Sequence, residues 1–202
     1  MTRFDRLVLL VDDDDAVRRS LKRLLAANGF RVETFASAEE LLDASLPEDT
    51  GCLVLDVRLP GLDGLGLQRL LADREDELPI VFISGHGDVP MSVRAMKAGA
   101  LDFLPKPVRE ADLVPAVSSA LEASRVRAAR REEVTRARAT LALLSPRETE
   151  VLRFVVEGKL NKQIASELGI AVKTVKLHRG HLTRKTGLKS VAELVRLVQT
   201  AG

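Results

Sequence analysis

Cys52-Leu53-Val54-Leu55-Asp56 sets four apolar residues directly before a carboxylate. A continuous apolar run of this length suits a strand covered on both faces, as in a parallel sheet with helices above and below. The arrangement recurs along the chain. Leu7 to Val11 runs into the acidic stretch Asp12 to Asp15, Ile80-Val81-Phe82-Ile83 runs into Ser84, and Leu101 to Leu104 is followed by Lys106. In open α/β sheets the carboxyl ends of the strands line one crevice, and ligands bind there. That crevice would gather several carboxylates, a hydroxyl and an ammonium. These are the groups needed to hold a divalent cation and accept a phosphoryl group.

Outward from these runs, the first 120 residues alternate strand and helix patterns. Phe30 to Thr34 supplies a fifth β-rich run. Val17, Leu21, Leu24 and Leu25 recur at helical spacing, with Gly29 placed to end that helix. Ser37 is a cap for the helix carrying Leu41 and Leu42, with Glu40 in the capping-box position. Five strands alternating with helices predict a doubly wound α/β domain with a five-stranded parallel sheet over residues 1–120.

After Lys106-Pro107 a last helix is expected from near Arg109. Residues 121–140 contain no Gly or Pro and are rich in Ala, Arg and Glu. That composition favours a charged, solvent-exposed helix as a semi-rigid linker, with a disordered linker as the alternative. Residues 141–202 read as all-α. Ser145-Pro146-Arg147-Glu148 combines an N-cap, a proline at the first helical position and a capping-box glutamate. Four short helices follow, stopped by Gly158, Gly169 and Gly187, the last beginning at Ser190 with Glu193. The second and third, joined by Gly169-Ile170-Ala171-Val172, have helix-turn-helix spacing.

The 202 residues are 46% hydrophobic and 30% charged, ordinary for a globular protein. No apolar run approaches the roughly 20 residues of a membrane span, and Met1-Thr2-Arg3-Phe4-Asp5 lacks the long apolar core of a signal peptide. A cytoplasmic protein without membrane contact is expected. The lone cysteine, Cys52, lies in an apolar strand and reads as a buried filler. Residues 1–120 hold 14 Lys/Arg against 21 Asp/Glu, while residues 121–202 hold 17 against 8. An acidic part beside a basic part suggests that the second alone meets a polyanion.

Within the crevice, Asp13 and Asp56 are the expected direct ligands of Mg²⁺, with Asp12 acting through water and the backbone carbonyl of Arg58 reaching the same ion. Asp14 and Asp15 are expected to face solvent and favour the positive end of the next helix. Lys106 offers a compact charge to a phosphate oxygen, and Ser84 a hydroxyl.

Asp12-Asp13, Asp56 in LVLDVRLPGLDG, Ser84 in ISGHGD and Lys106 in DFLPKP, all in order, make the first 120 residues resemble a bacterial two-component receiver domain, a flavodoxin-like fold. The resemblance implies that Asp56 is the phospho-acceptor, charged by a partner sensor histidine kinase in a Mg²⁺-dependent transfer. It implies that Ser84 and Phe103 form a switch pair and that Lys106–Pro107 is cis. Ser84 stands where threonine is commoner in that family. Arg58 and His86, two residues past the acceptor and the switch hydroxyl, are candidates for tuning phosphate lifetime.

LSPRETEVLRFVVEG, NKQIASELGI and KTVKLHRGHLTRKTG likewise resemble a LuxR-type DNA-binding domain, and the combination resembles response regulators of the FixJ/NarL type. At about 100° per residue, Val175, Leu182 and Thr186 share one side of the third helix, while Lys173, Lys176, Leu177, Gly180 and Arg184 share the other. Thr174 and Lys185 complete the expected DNA-contacting set, with Arg179 and Lys185 on the flanks and His178 in a packing position. Gly180 costs about 1 kcal/mol relative to Ala in a helix, and close approach to DNA is one reason to keep it. The resemblance implies double-stranded promoter DNA as a partner, RNA polymerase as a possible further one, and a homodimer on phosphorylation. The apolar face from Leu194 to Val198 is a candidate dimer surface.

Other classes fit less well. An aspartyl-phosphate hydrolase wants a second carboxylate two residues after the nucleophile, where Arg58 stands. A ligand-gated regulator wants an aromatic-lined pocket, and the chain has no Trp or Tyr and six Phe. A receiver working without phosphorylation remains open, and Asp56→Asn separates it from the reading above.

Overall fold

The computed structural model describes residues 6–47, 49–73, 78–85 and 89–202; the segment Met1–Asp5 and His86 lie outside the described residues. Strands β1 (Leu7–Val11), β2 (Arg31–Phe35), β3 (Thr50–Asp56), β4 (Ile80–Ser84) and β5 (Asp102–Pro105) form one parallel sheet in the order β2-β1-β3-β4-β5. Helices α1 (Asp15–Ala27), α2 (Ala38–Asp43), α3 (Gly64–Asp73), α4 (Val89–Lys97) and α5 (Glu110–Ala142) connect and follow them. Alternation along β1 explains why the strands read as unbroken apolar runs. Leu7, Leu9 and Val11 pack with Leu41, Leu67 and Ala95 on one face, and Val8 and Leu10 with Leu21, Leu25, Leu113 and Val117 on the other.

Strand limits differ slightly from the apolar pattern, for local reasons. Phe30 is buried, but its amide donates to the Leu25 carbonyl at 3.1 Å and belongs to the end of α1, so β2 starts one residue later. β3 starts two residues earlier than its apolar run. A β-carbon on Gly51 would lie 2.4 Å from Leu121 Cδ2 and 2.7 Å from Arg6 Cβ, so crowding by α5 and by the residue before β1 explains the glycine there. Ser37 caps α2 as expected, accepting from the Glu40 amide at 3.2 Å. The Glu40 carboxylate instead accepts from Ala36, one residue before the cap, so the reciprocal half of the box is displaced.

α5 is a single helix of 33 residues, in place of a disordered linker. The chain divides into two compact units, Met1–Arg127 and Ala128–Gly202, at a point inside this helix. In the second unit α6 (Pro146–Val156), α7 (Asn161–Leu168), α8 (Val172–Thr186) and α9 (Val191–Ala201) enclose Val151, Leu152, Val155, Ile164, Val175, Leu182 and Leu194. Both capping boxes, at Ser145/Glu148 and Ser190/Glu193, are formed. Gly169, at φ 64°, takes the left-handed conformation that ends α7 and turns the chain toward α8. Leu194 is buried in this core and Val198 packs against it. Leu194 therefore serves the domain's own packing, while Leu197 and Val198 on the same helix stay half-buried.

Candidate functional site

Strand register brings the predicted groups together. Val11 of β1 pairs with Leu55 of β3, Asp56 with Ile83 of β4, and Ser84 with Pro105 of β5. Asp12, Asp56, Ser84 and Lys106 therefore lie at the carboxyl ends of four adjacent strands, with Ser84 one residue and Lys106 two residues beyond the level of Asp12 and Asp56. The order reverses between β1 and β3, so Asp12, Asp13 and Asp56 flank the point at which such sheets open a crevice. Gly64 keeps α3 close to this rim, since a β-carbon there would sit 2.4 Å from the Asp56 carbonyl oxygen.

Asp12 is fully buried and Asp56 is 4% exposed, whereas Asp13 is open to solvent. Their carboxylate oxygens lie within 4.8 Å of one another. Asp12 Oδ1 accepts from the Asp14 amide at 2.9 Å, and Asp56 Oδ1 accepts from the Arg58 amide at 2.9 Å. Lys106 Nζ lies 2.5 Å from both Asp12 Oδ2 and Asp56 Oδ2. It donates a hydrogen bond to Asp56 Oδ2, but its contact with Asp12 Oδ2 lacks hydrogen-bond alignment. Asp12 Oδ2 is thus a buried oxygen with the ammonium beside it and no aligned hydrogen bond.

Electrostatics follow from this crowding. Burial holds the Asp12 carboxyl above its ordinary range, and the Asp56 charge adds to that, against Lys106 and the Asp14 N–H. For Lys106, burial alone would lower the pKa, but the adjacent Asp12 and Asp56 carboxylates outweigh it and raise it. Three carboxylates against one ammonium leave two negative charges uncompensated, which is what one divalent cation would balance.

Asp14 caps α1, accepting from Ala16 and Val17 amides at 2.8 and 3.2 Å, and these bonds lower its pKa. Asp15 pairs with Arg18 and Arg19 on the exposed side of the same helix. Both therefore serve the helix end, as expected. Arg18, which sequence reading passed over, donates to the Asp12 carbonyl at 2.6 Å and fixes the backbone beneath the acidic pair. Its helical position carries no sign of that role.

Ser84 is 1% exposed. Phe103 is half-buried, its ring centroid 6.3 Å from that of Phe82 at a tilt of 38°. The Lys106–Pro107 bond is cis. Cys52 is fully buried, and burial pushes its thiol up to about 12, in keeping with an inert filler.

On α8, Val175 and Leu182 are buried and Thr186 is half-buried. Lys173, Lys176, Gly180 and Arg184 are exposed, Leu177 is 57% exposed, and Thr174 is half-buried. A β-carbon on Gly180 would meet nothing within 4 Å, so packing inside the domain does not call for glycine there. Two cations expected at the flanks are engaged within the fold. Arg179 donates to Asn161 Oδ1 at 3.0 Å. Lys185 donates to Glu148 Oε2 at 2.6 Å and to the Leu143 carbonyl at 3.1 Å.

Comparisons with known proteins agree with both halves. The family described as "Response regulator receiver domain" matches residues 8–118, and that described as "Bacterial regulatory proteins, luxR family" matches residues 142–198. Nodulation protein W of Bradyrhizobium diazoefficiens is 48% identical over 97% of this chain and 86% of its own length. Transcriptional regulatory protein FixJ of Azorhizobium caulinodans is 43% identical, over 96% and 92% respectively. The solved structure of response regulator StyR matches with a TM-score of 0.86 at 47% identity, covering 96% of this chain and 98% of that one. No helix among the described residues is long and apolar enough to cross a membrane.

Proposed function

The chain belongs to the two-component response regulators that join a receiver domain to a LuxR-type DNA-binding domain, and we propose that it is a transcriptional switch thrown by phosphorylation of Asp56. Membership in this family makes it a regulator of transcription rather than an enzyme acting on external substrate. A receiver implies a cognate kinase, and the helix-turn-helix implies DNA. The observation that carries the proposal is Lys106 Nζ, 2.5 Å from Asp12 and Asp56 alike, beside a third carboxylate from Asp13.

In the proposed transfer, an Asp56 carboxylate oxygen attacks the phosphorus of the kinase's phosphohistidine. An O–P bond forms, the N–P bond breaks, and the imidazole leaves with the electron pair and takes up a proton. Lys106 meets the charge arriving on the phosphoryl oxygens. Asp13 and Asp56, with Asp12 and the carbonyl of Arg58, are suited to hold Mg²⁺, which fits the two uncompensated charges and the Asp12 oxygen that lacks an aligned hydrogen bond. Bound there, Mg²⁺ would neutralise charge on the transferring oxygens.

Ser84 and Phe103 would convert the phosphate into shape. Ser84 ends the strand next to Asp56 and can be drawn to a phosphoryl oxygen. Phe103, half-buried against Phe82, would then turn further inward. Movement there would alter the surface near residues 90–110, where Val93 and Met96 of α4 are 44% and 46% exposed. That surface would then favour homodimerisation, so that two α8 helices engage a two-fold promoter site. Lys173, Lys176, Leu177, Gly180 and Arg184 would face the DNA, with Thr174 at the edge of the set, and RNA polymerase would be the further partner.

The test is treatment with a small phosphodonor and Mg²⁺, followed by mass spectrometry and footprinting. We expect one phosphoryl group on Asp56, none in Asp56→Asn, and protection of a two-fold site that strengthens with the donor. Wild-type footprints identical with and without donor, or a donor-dependent gain that persists in Asp56→Asn, would exclude the switch.

A further inference from the structure

The second unit contains another group of metal-ligating side chains, on α6 and α8. One donor atom from each of Glu148, His178 and His181 lies within 4.8 Å of the other two. His178 and His181, three residues apart, are presented by neighbouring positions of α8, and their rings meet edge-on with centroids 6.3 Å apart. Glu148 comes from the first turn of α6 and is 3% exposed.

The two oxygens of Glu148 are used differently. Oε2 accepts from Lys185 Nζ at 2.6 Å and from the Ser145 amide at 2.8 Å, whereas Oε1 is turned to His181 Nδ1 at 3.2 Å. His178 Nδ1 is buried and has no hydrogen-bond partner. Buried polar atoms are rarely left so, and an unmet nitrogen on an imidazole grouped with a second imidazole and a carboxylate points to a ligand.

We propose that Glu148, His178 and His181 form a three-ligand site for Zn²⁺, with the fourth position open to water. Two imidazole nitrogens and one carboxylate oxygen are a donor set suited to zinc, whereas Mg²⁺ and Ca²⁺ favour oxygen alone. The bonds from Lys185 and Ser145 to Oε2 orient the carboxylate and leave Oε1 toward the histidines, as outer partners of metal ligands do. The Lys185 charge also opposes the cation and lowers its affinity. A metal here would join α6 to α8 and favour the folded domain, so it would raise thermal stability as free zinc rises above its Kd.

The test uses the full chain, stripped of metal, in millimolar Mg²⁺ so that the aspartate cluster does not compete for zinc. Zn²⁺ is titrated while the imidazole signals are followed by NMR. One Zn²⁺ per chain is expected, with shifts at His178 and His181 and a higher unfolding temperature. His181→Gln should weaken binding by at least about tenfold. Because that change also removes the contact with Glu148, the zinc-dependent rise in unfolding temperature is read, rather than the temperature itself. Zinc taken up without change at these two imidazoles, or with affinity untouched by His181→Gln, overturns the site.

Discussion

Lys106 stands between two nearly sunken carboxylates, so its removal should separate binding from chemistry. Lys106→Met leaves Asp12 and Asp56 facing each other without the ammonium 2.5 Å away. A missing positive charge favours a divalent cation but deprives the transferring phosphoryl group of its partner. The expected result is tighter Mg²⁺ binding by calorimetric titration, together with phosphorylation by a small donor slowed about 10²–10³-fold. Glu148 gives a second residue-scale test. The Lys185 ammonium and the Ser145 N–H hold its carboxyl at about 2, against an ordinary 4.5, with His181 on the other oxygen. A carboxyl depressed in the folded state stabilises fully above the unfolded value, and that contribution fades as pH falls toward the folded one. The stability lost in Glu148→Gln should therefore be constant above pH 4.5 and shrink between there and about pH 2, as followed by urea unfolding across that range. At this scale the aspartates, Ser84 and Lys106 were legible because each ends or follows an apolar run. Arg18 was not, because its partner is a backbone carbonyl. Nor was the engagement of Lys185, whose carboxylate partner is 37 residues away.

Elements carried the clearest signals where local chemistry and tertiary packing agree. Ser145, Pro146 and Glu148 announce α6 before any packing is considered, and the capping box is formed as read. Ser145→Ala removes one half of it and should cost about 1 kcal/mol, measured as a shift in the denaturant midpoint of the helical unit. The box at Ser37 was legible only by half, because Glu40 bonds Ala36 and nothing in the spacing distinguishes that amide from its neighbour. Strand edges were blurred for a similar reason. Phe30 is apolar and buried yet finishes a helix, and Gly51 is invisible to a hydrophobic pattern although Leu121 of α5 and Arg6 crowd it. α5 itself could be read because residues 121–140 lack both helix breakers. Glu133→Pro on its exposed side should break it, at a cost of about 3 kcal/mol to the helix. If the helix transmits the phosphorylation signal, this variant keeps its uptake of phosphate and its basal DNA binding but loses the increase in DNA affinity, as read by footprinting.

At the scale of the whole molecule, charge sorts the two halves more sharply than composition does. The formal total of +2 conceals an acidic receiver and a basic helical end, so attraction to DNA belongs to the second and the first resists it. Binding should therefore weaken steeply as salt rises, because each lysine or arginine on a phosphate releases counterions. Location within the fold decides which cations count. Lys176 is exposed on α8 beside Leu177 and Gly180, so Lys176→Ala should weaken binding on all sequences, flatten the salt slope by about 1 and leave melting unchanged. Lys185 is basic too, but its ammonium holds Glu148 and the Leu143 carbonyl. Lys185→Ala should therefore lower the unfolding temperature of the helical unit while the slope of log affinity against log salt stays as in the wild type. Measuring both variants across one salt series tests the assignment directly. A slope that falls equally in the two would place Lys185 on phosphate and remove the distinction between the cations that meet DNA and the one that holds the fold.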